Sequence, residues 1–128
     1  MAPALRLKIL PGDYAVCRLD PDDDPPLPAA EGLFSVTRTD EEISIVCPVA
    51  SALPAARAEG PFTALRVAGT LDFSLTGVLA SLTSALAEVG VSVFAISTYD
   101  TDYMLVSRDR LPQAVEAIRS AGHEVEGL

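Results

Sequence analysis

The chain has 128 residues, enough for one ordinary domain or two very small ones. Of these, 49% are apolar but only 5% aromatic, so any core must be built mainly from Leu, Val, Ile and Ala. A formal charge of −9 sets the surface against phosphate backbones and anionic lipid, which removes nucleic acid and membrane from the expected partners.

The first half reads as short strands. Residues 5–10 alternate apolar and basic side chains, the period-2 sign of a half-buried strand. Arg6 and Lys8 also stand where a secretory signal would be apolar, and no run reaches the roughly 18 apolar residues of a membrane-spanning helix, so a cytoplasmic protein is expected. Pro11-Gly12-Asp13 makes a turn, and residues 14–19 form a second strand. Residues 20–28 carry four aspartates and four prolines, which repel one another or cannot donate to a ladder, so they form an exposed loop. This stretch lacks the spaced ligands and closing glutamate of a calcium loop. Residues 33–38 and 43–47 are two further strands, joined as a hairpin through Thr39-Asp40-Glu41-Glu42. Residues 50–58 contain Pro54 and allow only a short helix, and Glu59-Gly60-Pro61 is the clearest boundary in the chain.

The second half is more regular. Residues 62–67 are a strand, and Ser74 can cap a helix over about 75–88. Leu75, Val78, Leu79, Leu82, Leu86 and Val89 form the apolar stripe of a helix lying on a sheet, and Gly90 stops it. Residues 91–98 and 103–106 are hairpin strands. Asp109 can cap a second helix with Pro112 in its first turn and Leu111, Ala114, Val115 and Ile118 buried, and residues 123–125 can add an edge strand. The order β-α-β-β-α-β over residues 62–126 is the ferredoxin-like split βαβ arrangement, an α+β fold with a four-stranded antiparallel sheet and both helices on one face. The first half has similar strands with a proline-rich loop where its first helix would be, so it reads as a degenerate copy: residues 1–60 as one lobe and 61–128 as the other.

Three segments carry a resemblance to a known family: Phe62-Thr63-Ala64-Leu65-Arg66-Val67, then Leu71-Asp72-Phe73-Ser74-Leu75-Thr76-Gly77-Val78-Leu79, then the string from Ile96 through Ser97-Thr98-Tyr99-Asp100-Thr101-Asp102-Tyr103 to Val106. They resemble an ACT domain, the regulatory βαββαβ module of amino-acid metabolism. The string is similar to that of tandem ACT proteins, including small bacterial ones and the ACT pairs of cytosolic arginine sensors of animals. The resemblance implies two ferredoxin-like lobes in tandem, an amino-acid ligand, a homodimer and no catalytic role.

The candidate ligand site follows from these residues. With the helix starting near Leu75, Gly77 falls in its first turn, where a missing side chain lets another group approach free backbone N–H donors. A helix N-terminus attracts a carboxylate, and Asp72 can take the ammonium group of a zwitterion. The expected pocket is bounded by Asp72, Phe73, Ser74, Leu75, Thr76 and Gly77, with Ile96, Ser97 and Thr98 across from it. Gly77 can equally serve close helix packing, and Ser97, Thr98, Asp100 and Asp102 can equally form a polar turn. Leucine at position 77 is expected to leave the fold intact, as a better helix former.

Other features have plain readings. Cys17 and Cys47 lie in apolar runs as free buried thiols, and with His123 as the lone histidine no zinc set or cofactor site is expected. His123 is expected exposed or partly buried, in a structural role, and Tyr99 and Tyr103 are expected on the sheet surface or at an interface. No nucleophile or metal set accompanies the aspartates, so no catalysis is expected. Two functions stay open: a regulatory module that binds an amino acid or similar small zwitterion, and a ligand-free oligomerisation or protein-interaction module.

Overall fold

The computed structural model describes residues 4–25, 31–52, 57–68 and 77–127. They fall into two units: Gly12–Phe62, and Met1–Pro11 with Thr63–Leu128. The first is thus inserted in the sequence of the second.

In the inserted unit, β2 (Tyr14–Leu19), β3 (Ser35–Arg38) and β4 (Ile43–Pro48) join the start of β5 (Arg57–Val67). The order is β3-β4-β2-β5, antiparallel throughout. The expected β3–β4 hairpin forms, and its turn is closed by the Thr39 N–H donating to the Glu42 carbonyl at 2.9 Å. Ala15, Cys17, Ile43, Ile45 and Cys47 line one buried face, as their period of two dictates, with Leu19, Phe34 and Ala52 packed on it. The helix expected over 50–58 is reduced to a single 3-10 turn at Val49–Ser51; Arg57 and Ala58 already belong to β5, and residues 53–56 lie outside the described residues.

Glu59-Gly60-Pro61, where a boundary was expected, lies inside β5, next to the division between the units at Phe62 and Thr63. Gly60 has φ +142, and the β2–β5 register shifts between Tyr14 and Val16. A Cβ on Gly60 would stand 2.9 Å from the Tyr14 carbonyl oxygen, so the strand runs through this irregularity only with glycine there.

The other unit contains β1 (Arg6–Ile9), the end of β5, α1 (Val78–Glu88), β6 (Phe94–Ser97), β7 (Asp102–Ser107), α2 (Leu111–Ser120) and β8 (Glu124–Glu126). From β5 onward this is the expected β-α-β-β-α-β order, and the fold is α+β. The sheet runs β8-β1-β5-β7-β6. It therefore has five strands where four antiparallel ones were expected. β1, expected with the first half, lies antiparallel to β5 (Leu7 opposite Val67) and parallel to β8 (Leu7 opposite Val125). Its alternation sets the faces: Leu5, Leu7 and Ile9 lie on the core of this unit, and Arg6 and Lys8 face solvent.

Both helices share that core. Val78, Leu82 and Leu86 from α1 and Ala114, Val115, Ala117 and Ile118 from α2 pack with Leu65, Val67, Met104, Val106 and Val125 of the sheet. Leu79 and Leu111 are partly buried against them. Val89, the last stripe position, lies just past the helix and is 44% exposed. Asp109 does not cap α2: it sits in a 3-10 turn, Arg108–Arg110, and Arg110 is the N-cap, with no side-chain cap. No described helix is long and apolar enough to cross a membrane.

Candidate functional site

α1 begins three residues later than the sequence stripe suggests. Its first residue is Val78, and Gly77 is the N-cap in the left-handed region, at φ 78 and ψ 1. Gly77 is therefore in front of the first turn and not within it, and its backbone requires what only glycine, or less readily Asn, adopts without strain. The Gly77 carbonyl accepts the Ser81 N–H at 3.0 Å, the opening bond of the helix. Gly77 has no side chain with which to cap this N-terminus, and no acidic residue stands in the first turn of α1.

Ile96, Ser97 and Thr98 lie together at the end of β6. Ile96 is half-buried opposite Tyr103. Ser97 is exposed opposite Asp102, and its hydroxyl donates to Asp102 Oδ1 at 2.6 Å. The Thr98 N–H donates to the Thr101 carbonyl at 2.8 Å, and the Thr98 hydroxyl accepts the Thr101 N–H at 3.2 Å. The Ser97 and Thr98 hydroxyls are thus engaged within their own hairpin. Asp72, Phe73, Ser74, Leu75 and Thr76 lie outside the described residues.

Thr101 is the residue that sequence reasoning missed. It is 3% exposed, and its hydroxyl donates 2.7 Å to the carbonyl of Val67 at the end of β5. That bond fixes the β6–β7 turn beside the point where the chain leaves β5 for α1. The Thr-x-x-Thr spacing of Thr98 and Thr101 signals the turn between them but not the bond to Val67.

A groove of about 360 Å³ lies elsewhere, between the outer faces of α1 and α2, lined by Ala85, Glu88, Val89, Glu116, Ala117 and Ala121 among others. It shares no residue with the expected pocket. Both cysteines are free and buried. Burial, and then the neighbouring Cys17 thiol that hydrogen-bonds it, pushes the Cys47 thiol up to about 11, the behaviour of an inert core thiol. No group of three or more His, Cys, Asp or Glu among the described residues is placed to hold a metal ion. Tyr99 is 80% exposed, and His123 is buried at 7%, against the expectation of an exposed or half-buried ring.

The ACT-domain family model matches residues 57–120, and a second model, of an N-terminal domain, matches residues 12–54. No curated protein matches the chain. A crystal structure of an Agobacterium tumefaciens protein is 34% identical and superposes with a TM-score of 0.90, over 98% of this chain and 94% of that one. A Vibrio cholerae protein of unknown function, described as a possible transport protein, is 22% identical, with a TM-score of 0.71 over 92% of this chain and 90% of that one. The regulatory subunit of aspartate kinase from Thermus flavus is 13% identical, with a TM-score of 0.62 over 94% of this chain and 97% of that one, a likeness of fold.

Proposed function

Because the chain belongs to the ACT-domain family, we propose that it is a non-catalytic regulatory module that binds an amino acid or similar small zwitterion. The proposed pocket is the one bounded by Asp72 to Gly77, with Ile96, Ser97 and Thr98 on the hairpin. Gly77 is the observation that carries this reading: it opens α1 in the left-handed region and brings no side chain over the first N–H groups of the helix. Such a terminus offers donors and partial positive charge to a carboxylate, and Asp72, five residues earlier, offers the opposite charge for an ammonium group. A simple anion would gain nothing from Asp72.

The pocket also has support from Thr101. Its hydroxyl anchors the turn that follows Ser97 and Thr98 to the Val67 carbonyl at the end of β5. Calorimetry tests the pairing of charges. Asp72→Asn should weaken binding of an amino acid at least tenfold and leave the affinity of its deaminated analogue unchanged. Equal losses for both would rule out this role of Asp72.

A second reading, an interaction module that needs no ligand, is favoured by β6. This strand pairs only with β7 among the described strands, carries no charge from Phe94 to Ser97, and leaves Phe94 37% exposed. β8, at the other end of the sheet, bears Glu124 and Glu126, which discourage strand addition. A homodimer formed along β6 is compatible with both readings.

A further inference from the structure

His123 joins three elements through one neutral ring. The Leu5 N–H donates to Nδ1 at 2.9 Å, a buried bond between residues 118 apart in sequence. A backbone amide can only donate, so Nδ1 carries the lone pair and the ring proton sits on Nε2. Nε2 is 3.0 Å from the hydroxyl oxygen of Ser81 on α1, which accepts that proton. The same corner holds two backbone bonds: the Glu124 N–H to the Leu5 carbonyl at 2.9 Å, and the His123 N–H to the Ile118 carbonyl at 3.3 Å.

We propose that His123 is a proton-sensitive clasp that holds the start of β1 to β8 and α1 while its imidazole is neutral and releases it when the imidazole is protonated. A second proton can only go to Nδ1, where it would point at the Leu5 N–H. Donor would then face donor, and a buried amide would lose its partner.

The charges around the ring do not offset this. On β1, Arg6 and Lys8 alternate with Leu5 and Leu7 and are exposed; Arg6 reaches Glu124 and Glu126 of β8 at 3.6 Å each, on the solvent side. Glu88 is the single ionisable residue of α1, two turns beyond Ser81. On α2, Glu116 is exposed, and the Arg119 guanidinium donates to the Val125 carbonyl at 3.0 Å. Both hydrogen-bond partners of the imidazole are uncharged, so no carboxylate among the described residues bonds the ring and stabilises its second proton.

A charged ring breaks the buried bond to Leu5, so the folded unit is weakened where the ring is charged.

The chain's single histidine makes the test unambiguous. Nuclear magnetic resonance follows the imidazole and the Leu5 amide together between about pH 7.5 and about pH 5. As the ring charges, the protection factor of the Leu5 amide should fall by about tenfold or more, ahead of amides in the middle of β5. A ring that charges while Leu5 stays protected, or one that stays neutral throughout in the folded protein, overturns the proposal. His123→Gln can accept from Leu5 and donate to Ser81 without titrating. Between the same two pH values its Tm should drop by about 5 °C less than that of the parent. Equal drops in the two proteins would also overturn it.

Discussion

The Thr101 hydroxyl and the Val67 carbonyl, 34 positions apart, form a buried 2.7 Å hydrogen bond that ties the β6–β7 turn to the end of β5. Thr101→Val keeps the shape and removes the donor. The buried carbonyl then loses its partner, which costs about 1–3 kcal/mol. Urea denaturation should register that loss, and Thr101→Ser, which keeps the hydroxyl, should recover most of it.

Gly77 gives the second prediction. With φ 78 it holds a conformation that costs other L-residues about 1–2 kcal/mol, least for Asn. Gly77→Leu should therefore destabilise the protein by about that amount, contrary to the benefit expected of leucine inside a helix. Gly77→Asn should cost distinctly less. Denaturant midpoints of the two variants check this, and a leucine variant as stable as the parent would place Gly77 back inside the helix.

The core prediction concerns Leu82, which is fully buried between the helices and the sheet. Leu82→Asp puts an unpaired charge there and should cost several kcal/mol, roughly 3–5, enough to unfold a marginal unit. A variant melting within a degree or two of the parent would contradict the assigned face of α1.

Much of this architecture was legible because it is periodic. The stripe Val78, Leu82 and Leu86 and the set Ala114, Val115 and Ile118 point both helices at one sheet, and Leu5, Leu7 and Ile9 alternate as a strand must. Periodicity names a face but not a partner. Nothing in residues 5–10 says that they pair with Val67 and Val125, which lie far along the chain. Phase also leaves ends open: Leu75 and Val89 fit the stripe, yet the helix spans only Val78–Glu88, because Gly77 takes a left-handed conformation before it. Thr101 and His123 were opaque for a further reason, since what matters about each is a hydrogen bond to a distant backbone group. Of the candidate site, Gly77 and Ile96 to Thr98 could be placed, and the hydroxyls of Ser97 and Thr98 proved to be engaged within the hairpin.

Cys47 yields a pH prediction. Its folded value, about 11, lies above that of an unfolded thiol, so the fold favours the neutral form. The folded state then holds a proton that the unfolded chain gives up, and stability falls as pH rises from about 9 toward 11. Iodoacetamide at neutral pH should label Cys47 much more slowly in the folded protein than in urea. Equal rates would contradict the buried neutral thiol.

Association along β6 would make the dimer sensitive to charge on that strand. Phe94 is 37% exposed, so Phe94→Lys should disturb the fold little and lower the mass seen by light scattering from dimer to monomer. A parent that is monomeric at micromolar and higher concentrations contradicts the dimer outright.

A thermal-shift screen of the twenty amino acids on the parent protein tests the central claim most directly. A ligand present at a hundredfold excess over its Kd stabilises the folded state by about 2.7 kcal/mol, which raises Tm by several degrees. The account predicts such a rise with at least one α-amino acid, and none with the same compound lacking its ammonium group. No rise with any of the twenty would contradict the ligand-binding role and leave the interaction module standing.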